Sequence, residues 1–227
     1  MPAGFGRGRG LKVQPMLDVA IVDYGMGNLF SVKHACSAAG LDAEITARPG
    51  DLQRARAVIL PGVGAFGAAM ATLGSLGFPD ALREVAASGR PLVGICLGLQ
   101  LLMSESHEFG RHQGLGLIPG QVIKLSSERD RVPHVGWSPV ERTRRDAWEG
   151  TPLQGLDEGV HMYFVHSFHV QPTDPSVAVA QTRHGGAAFC SAVRHGSVFA
   201  CQFHPERSGS DGLRMYQNLA RQIRSAG

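Results

Sequence analysis

A short apolar run that passes through a glycine–cysteine–glycine pattern constrains this chain more than any other feature. Residues 91–102 read PLVGICLGLQLL, which places Cys96 between Gly94 and Gly98. The residues before Cys96 are typical of a buried parallel strand, and the apolar side chains of 97–103 recur at helical spacing. A strand that turns sharply into a helix exposes the residue at the turn, and flanking glycines leave room for the bend. The pattern therefore predicts a nucleophile elbow with cysteine at its tip.

The position of Cys96 would favour its reactive form. At the first turn of a helix, partial positive charge stabilises the thiolate. The backbone N–H of Leu97 would point at an oxyanion that develops beside the sulfur. The alternative is an ordinary buried cysteine, since unpaired cysteine is among the most buried residue types. From the spacing we favour the nucleophile.

Cysteine usage and hydropathy indicate the compartment. The four cysteines form no Cys-x-x-Cys pair, so neither a zinc site nor a disulfide scaffold is indicated. We expect a reducing, cytoplasmic location. No apolar run approaches the length of a transmembrane helix, so we expect no membrane association.

The excess of basic charge lies at the N-terminus. The formal net charge is +3, and residues 1–16 contain Arg7, Arg9 and Lys12 without an acidic residue. The remaining basic and acidic residues balance, which argues against a nucleic-acid partner. The glycine- and arginine-rich start lacks the material for a core, and we predict a disordered extension. It could also reflect a start codon placed too early, with Met16 as the true start.

Residues 17–227 are predicted to form one domain, because 43% of the chain is hydrophobic and one core is sufficient for this length. Strands are predicted near 18–24, 43–47, 56–60 and 91–96, with helices near 29–39, 68–73 and 79–87. This alternation predicts a parallel sheet with right-handed crossovers and functional loops at the carboxyl ends of its strands. That rule places 62–64 and Cys96 at the same edge. Asn28 is a good N-cap for the first helix.

After about residue 109 the pattern changes to short strands and turns. It predicts a mainly antiparallel half lying against the parallel one. Its strands are expected near 121–125, 137–141, 161–165, 177–181, 187–193 and 198–202. An amphipathic helix over 209–224 closes the chain, with its apolar face formed by Leu213, Tyr216, Leu219 and Ile223.

His204 is the candidate base for Cys96. It follows a strand pattern and precedes Pro205, which fixes a turn just past the strand end. Glu206 could hold the imidazole in the tautomer that accepts the thiol proton. By itself this segment is best explained as an ordinary polar turn. In a chain that also contains the Cys96 motif, we favour a base.

Three separated motifs now carry a family resemblance. The segments 94–100 (GICLGLQ), 203–206 (FHPE) and 61–64 (PGVG) resemble the class I, triad-type glutamine amidotransferases. Within that class, the stretches DYGMGNL, PHVGW and YFVHSF resemble the glutaminase subunits of imidazole glycerol phosphate synthases, enzymes of histidine biosynthesis. The resemblance covers about residues 17–224. Two positions depart from it, with Ser138 where the family usually has Asn and Phe168 where Tyr is common.

The resemblance implies a fold and a set of site residues. The fold is α/β: a flavodoxin-like open sheet with a parallel core, helices on both faces and an antiparallel extension. The implied catalytic residues are Cys96, His204 and Glu206. The implied oxyanion site uses the N–H groups of Leu97, Val63 and Gly64. The implied glutamine-binding residues are Gly62, Gln100, Ser167 and Phe168. For Gln100, a plain solvent-facing helix position is the alternative.

The resemblance also implies a partner, because the chain lacks phosphate-binding motifs for using the ammonia that it would release. That partner would be a (β/α)8-barrel cyclase subunit, and no metal or organic cofactor is implied. The residues expected at the interface are Met26, Asn28, Pro133, His134, Trp137 and Tyr163. Internal packing is an equally good explanation of Trp137, since Trp is highly buried on average.

Two rival interpretations stay open at this point. The first is a glutaminase subunit for anthranilate, GMP, carbamoyl phosphate or pyridoxal phosphate synthesis. Leu99 argues against several of these, which often carry His there, and so does the stretch 133–137. The second is an inactive binding module that kept the fold, and the complete set of triad residues argues against it.

Overall fold

The computed structural model describes residues 16–126 and 131–225. The extension predicted over 1–16 lies outside the described residues except for Met16. The first half of the chain contains β1 (Leu17–Val22), α1 (Leu29–Ala38), β2 (Ala43–Thr46), β3 (Ala55–Gly62), α2 (Phe66–Ser75), α3 (Phe78–Ala87), β4 (Leu92–Cys96) and α4 (Leu97–Leu101). The second half contains β5 (Met103–Ser106), β6 (His112–Gln113), β7 (Ile118–Lys124), β8 (His134–Arg142), β9 (Val160–His166), β10 (Phe168–Pro172), β11 (Ala178–His184), β12 (Ala187–His195), β13 (Val198–Cys201) and α5 (Gly209–Ser225).

The parallel core has the strand order β2-β1-β3-β4-β13. This is the flavodoxin-like order, in which ligands bind outside the carboxyl ends of the strands. The predicted α/β class is confirmed. The antiparallel extension is confirmed as well, and it continues the parallel sheet rather than packing on its face. β12 pairs antiparallel with β13, so the later strands extend the same sheet edge to edge.

Helices cover both faces of this sheet. Val19 and Ile21 of β1 face one apolar cluster, whereas Ala20 and Val22 face the other, because successive side chains of a strand point to opposite sides. α1 and α5 pack on the first face, and α2, α3 and α4 pack on the second. Burial on both faces explains why the parallel strands read as continuous apolar runs. In the described part of the chain, no helix is both long and apolar enough to cross a membrane.

Three local predictions need correction. The helical pattern over 97–103 ends at Leu101, and Met103 begins β5, a short strand that the sequence did not indicate. Its residues, MSES, lack apolar alternation, so only its pairing with β6 and β7 reveals it. Asn28 occupies the N-cap position of α1, but its side chain makes no capping hydrogen bond. On α5, Met215 is buried where Leu213 was expected to be, because the buried stripe is rotated by part of a turn.

Candidate active site

Cys96 lies at the tip of a tight strand-to-helix turn. It is the last residue of β4 and has φ 55° and ψ −109°, a backbone conformation that is costly for any residue with a Cβ. The flanking glycines are required by close packing. A Cβ on Gly94 would lie 2.9 Å from Leu102 Cδ1, and a Cβ on Gly98 would overlap the carbonyl oxygen of Leu60. The turn therefore has the geometry of a nucleophile elbow.

The helix after Cys96 is shorter than the sequence suggests. α4 contains five residues, and a macrodipole is the sum of the peptide dipoles aligned along a helix. The partial positive charge at its N-terminus is therefore smaller than that of a full-length helix.

His204 and Glu206 form a buried pair just beyond β13. His204 Nδ1 lies 2.7 Å from Glu206 Oε1, and both side chains are almost completely buried. The backbone of His204 is fixed by a 2.8 Å hydrogen bond from its N–H to the Tyr163 carbonyl. A second bond, 2.7 Å long, runs from the Ser208 hydroxyl to the His204 carbonyl. The imidazole is thus held by the turn as well as by the carboxylate.

The surroundings of His204 favour its charged form. Burial by itself lowers its pKa, but the side chains of Cys96 and Glu206 outweigh this effect and raise the pKa to about 10. Nε2 has no hydrogen-bond partner among the described residues, whereas Nδ1 is bonded to Glu206. Nε2 is therefore the ring nitrogen left to exchange a proton with the sulfur or with a substrate.

Gln202 is a site residue that the sequence reasoning missed. Its Nε2 lies 3.7 Å from Cys96 Sγ, and its Oε1 accepts a 3.1 Å hydrogen bond from Gln100 Nε2. The side chain is completely buried. The available signal was a lone amide at the end of the apolar run VFAC, since a buried polar group needs partners.

A pocket of about 260 Å³ opens at the sulfur of Cys96. Seven of the predicted site residues line it: Val63, Gly64, Cys96, Leu97, Gln100, Ser167 and Phe168. His204 and Glu206 lie outside the lining, and the pocket is of a size that suits a small polar metabolite. The structure therefore brings most of the predicted residues together around one space.

Gln100 is buried, so the solvent-facing alternative is wrong. Its Nε2 also donates a 2.9 Å hydrogen bond to the carbonyl of Phe168. Ser167 is fixed from the other side, because its carbonyl accepts a 2.8 Å hydrogen bond from the N–H of Leu125. The amide of Gln100 and the 167–168 backbone are thus set relative to each other.

Glu108 is a second missed residue, and it carries the one carboxylate among the side chains that line this pocket. It is buried, and its Oε2 accepts a 2.5 Å hydrogen bond from the N–H of Phe66, the first residue of α2. Nothing in the sequence favours it over nearby Glu105, since both lie in the polar run SESHE. Only the fold places Glu108 at the pocket.

Gly62 lies directly beside Cys96, because the two residues are paired in the register of β3 and β4. It does not line the pocket. A Cβ at Gly62 would overlap the hydroxyl of Tyr24, which donates a 3.0 Å hydrogen bond to the carbonyl of Pro61. Tyr24 therefore anchors the strand end that leads into Val63 and Gly64.

The outward face of the β8–β9 hairpin is apolar. Val135, Trp137 and Val165 lie on this face by strand register, and Trp137 is 53% exposed beside the ring of Tyr163. Internal packing of Trp137 is therefore wrong. Val165 also lines the pocket, so this face adjoins the site.

The other residues predicted at the interface differ in exposure. Asn28 and Pro133 are exposed and Met26 is half-buried. His134 is an exception, because only 2% of it is exposed and it stacks on Phe164 inside the chain. Its predicted place on the interface is wrong.

Comparison with known proteins agrees with this geometry. The family model for class-I glutamine amidotransferases matches residues 20–223. The chain belongs to the class-I glutamine amidotransferase family. One relative of this amidotransferase is the imidazole glycerol phosphate synthase subunit HisH of Rhodopirellula baltica. The two are 46% identical over 203 residues, which is 89% of this chain and 96% of the relative. The HisH subunit of Moorella thermoacetica is 45% identical, over 93% of this chain and 98% of its own.

A solved structure described as a glutamine amidotransferase shares the fold of this amidotransferase. It superposes with a TM-score of 0.70 at 22% identity, over 91% of this chain and 98% of its own. This likeness independently confirms the fold class that the motifs predicted.

Proposed function

We propose that this chain is the glutaminase subunit of an imidazole glycerol phosphate synthase. It hydrolyses glutamine to glutamate and ammonia, and the ammonia is used by a second subunit. The observation that carries the proposal is that Cys96 lines the pocket and its side chain acts on that of His204, which is bonded to Glu206. The relatives named HisH support the choice of synthase, since they match nearly the whole chain.

The proposed reaction begins with the Cys96 thiolate and the His204 imidazolium. The sulfur attacks the side-chain carbonyl carbon of glutamine, and the carbonyl electrons move onto oxygen. As the tetrahedral intermediate collapses, His204 gives its proton to the amide nitrogen, and ammonia leaves. The high pKa of His204 suits this arrangement, since it keeps the proton on the imidazole until the leaving nitrogen needs it.

The second half of the reaction hydrolyses the γ-glutamyl thioester. Neutral His204 accepts a proton from water through Nε2, and the hydroxide attacks the thioester carbonyl. The C–S bond breaks, which releases glutamate and restores the thiolate. Glu206 stabilises the imidazolium each time it forms and keeps Nδ1 protonated. The N–H groups of Leu97, Val63 and Gly64 are proposed to bind the oxyanion in both steps.

The remaining pocket residues are proposed to bind the amino-acid end of glutamine. Glu108 supplies a negative charge for the α-ammonium group, and Gln100 supplies an amide beside it. Ser167 and Phe168 add backbone contacts, and Gly62 leaves room for the Tyr24 hydroxyl at the strand end that leads into Val63 and Gly64. A buried carboxylate near the substrate gives orientation as well as attraction, because charge-assisted hydrogen bonds are stronger than neutral ones.

The partner is proposed to be a (β/α)8-barrel cyclase subunit that receives ammonia and forms imidazole glycerol phosphate and an aminoimidazole carboxamide ribonucleotide. The exposed face with Val135, Trp137 and Val165 is suited to such an interface, since aromatic and apolar residues are enriched in interface cores. Met26, Asn28, Pro133 and Tyr163 are proposed to extend it. The four unpaired cysteines fit the reducing cytoplasm, where we place the complex.

The deciding experiment separates glutamine use from ammonia use. The chain is purified with the cyclase subunit of the same organism, and synthesis is assayed with glutamine or with ammonium at high pH. We expect Cys96→Ala to abolish the glutamine-dependent reaction and to keep the ammonium-dependent one. Failure of the wild-type chain to hydrolyse glutamine or to bind the cyclase would reject the proposal. Reaction of Cys96 with a thiol-reactive glutamine analogue distinguishes an enzyme from an inactive module.

A further inference from the structure

A chain of hydrogen bonds runs from strand β8 to the wall of the pocket. Ser138 Oγ lies 2.8 Å from His134 Nε2, and His134 Nδ1 lies 3.1 Å from His166 Nε2. His166 Nδ1 in turn lies 2.9 Å from the carbonyl oxygen of Phe168. The strand register makes this possible, because His134 and His166 are directly paired across β8 and β9.

The direction of these bonds follows from what each group can do. A carbonyl oxygen only accepts, so His166 Nδ1 carries a hydrogen. Burial, against the effect of the Phe168 carbonyl, lowers the pKa of His166 to about 3, so its ring is neutral at physiological pH. Its Nε2 is then bare and accepts the hydrogen on His134 Nδ1. The Ser138 hydroxyl can donate or accept, so it satisfies His134 Nε2 in either protonation state.

This series of hydrogen bonds ends at the carbonyl oxygen of Phe168, a residue that lines the pocket. The Phe168 carbonyl oxygen accepts one hydrogen bond from His166 and one from Gln100 Nε2, 2.9 Å long in both cases. Both lone pairs are thereby occupied, which fixes the plane of the peptide after Phe168. The rings are confined as well, since His134 stacks on Phe164 with centroids 4.8 Å apart.

We infer that His166 is a positioning residue for glutamine binding, held in its tautomer by His134 and Ser138. It presets the backbone at Ser167 and Phe168 and, through the shared carbonyl, the amide of Gln100. The inference rests on the proposed glutaminase function. The two departures from the family pattern leave these hydrogen bonds intact. Phe168 contributes its backbone carbonyl, and the Ser138 hydroxyl provides the hydrogen-bond partner for His134 Nε2.

The kinetic test compares two substitutions at His166 in the complete complex. His166→Leu removes the donor to the Phe168 carbonyl, whereas His166→Asn keeps one, because Asn Nδ2 occupies the place of His Nδ1. We expect the KM for glutamine to rise about tenfold in His166→Leu, the equivalent of one hydrogen bond, with a smaller change in kcat. His166→Asn should recover most of the wild-type KM. Exposed His34→Leu on α1 is the matched control and should leave KM unchanged.

An unchanged KM in His166→Leu, or an equal rise in both variants, would overturn the inference. Glutamine hydrolysis by the wild-type complex reports separately on the proposed function, so the two failures are distinguishable.

A spectroscopic test does not depend on activity or on the folding of the Leu variant. The chain is labelled with 15N-histidine, and the signals of His166 are assigned by their loss in His166→Asn. We expect a neutral ring with hydrogen on Nδ1 from pH 6 to 8, the less common tautomer. A His166 ring with hydrogen on Nε2, or an imidazolium in that pH range, would contradict the assigned directions of the hydrogen bonds and refute the inference.

Discussion

Gln202 Nε2 lies 3.7 Å from Cys96 Sγ, and Oε1 of the same amide accepts a 3.1 Å hydrogen bond from Gln100. One buried amide therefore contacts both the sulfur and a residue of the proposed substrate site. The two contacts fix its orientation, because a rotated amide would turn its oxygen toward the sulfur and its NH₂ toward another NH₂. The observed orientation therefore directs the amide donor, and not the amide oxygen, at the sulfur.

Substitution of Gln202 tests this orientation. Gln202→Leu removes the donor, and we expect kcat/KM to fall about tenfold, as for the loss of a hydrogen bond to a charged group. Gln202→Glu places a carboxylate beside the sulfur, so alkylation of Cys96 by iodoacetamide should require a higher pH than in the wild type. Superimposable pH profiles of alkylation for the Glu variant and the wild type would show that the side chain at position 202 does not act on the sulfur of Cys96.

The unequal roles of His204 and Glu206 give a second prediction. His204→Ala should be nearly as damaging as Cys96→Ala, because both proton transfers are lost. Glu206→Gln should be less damaging, since it keeps an oxygen for Nδ1 but loses the charge that stabilises the imidazolium. Steady-state glutamine hydrolysis in the complex measures both. Wild-type rates in His204→Ala would remove this residue from the mechanism.

Glu108 gives a third prediction, in which charge and structure are separated. Glu108→Gln keeps an oxygen for the N–H of Phe66 but removes the negative charge, whereas Glu108→Ala removes both. We expect a raised KM for glutamine in both variants, and a lowered melting temperature mainly in Glu108→Ala. Alkylation of Cys96 by a neutral reagent serves as the control and should be unaffected in Glu108→Gln. A normal KM in Glu108→Gln would exclude an ionic contact with the substrate.

The sequence predicted the parts of the site that depend on local geometry. Cys96 was identifiable because an elbow needs glycines at fixed offsets, and His204 because a strand end followed by Pro205 fixes where the imidazole lies. Glu108 and Gln202 were missed because their roles arise only from packing between distant segments. The hydrogen bond that Glu108 accepts, for example, joins residues 42 apart in the chain.

The same distinction applies to the fold. The parallel strands were found because burial on both faces leaves continuous apolar runs. β5 and β6, the last two strands in the order of the sheet, were missed, since short polar strands carry no such pattern. His134 was misplaced on the interface for a related reason. A period of two shows which residues of β8 share a face, but it does not say which face is buried.

The close packing at the elbow gives a fourth prediction. Gly98→Ala should destabilise the chain by at least about 1–3 kcal/mol, the usual cost of overpacking, because the new methyl group would overlap the Leu60 carbonyl. Gly74→Ala is the matched control. Gly74 lies in α2, and an added Cβ there would have nothing within 4 Å, so alanine should stabilise by up to about 1 kcal/mol. Urea unfolding measures the free energy of unfolding of both variants. Equal changes in the two would mean that the elbow has room for the added methyl group.

The last prediction concerns acid stability and the neutral ring of His166. Its pKa is lowered to about 3, first by burial and then by the nearby His134, His169 and His184, with the Phe168 carbonyl acting in the opposite direction. Below pH 6.5 the unfolded chain binds a proton at this position that the folded chain cannot bind, so stability falls as pH falls from 6.5 toward 3. By pH 5 this one group should cost about 2 kcal/mol.

His166→Asn removes the titration and keeps a donor to Phe168. We therefore expect the variant to lose less unfolding free energy than the wild type between pH 7.5 and pH 5, as measured with urea. His34→Asn, at an exposed position, is the control and should follow the wild type. If His166→Asn loses as much stability as the wild type over this interval, the folded chain accepts a proton at His166. In that case a protonated His166 Nε2 could no longer accept the hydrogen bond from His134 Nδ1, and the assigned series of hydrogen bonds would not exist.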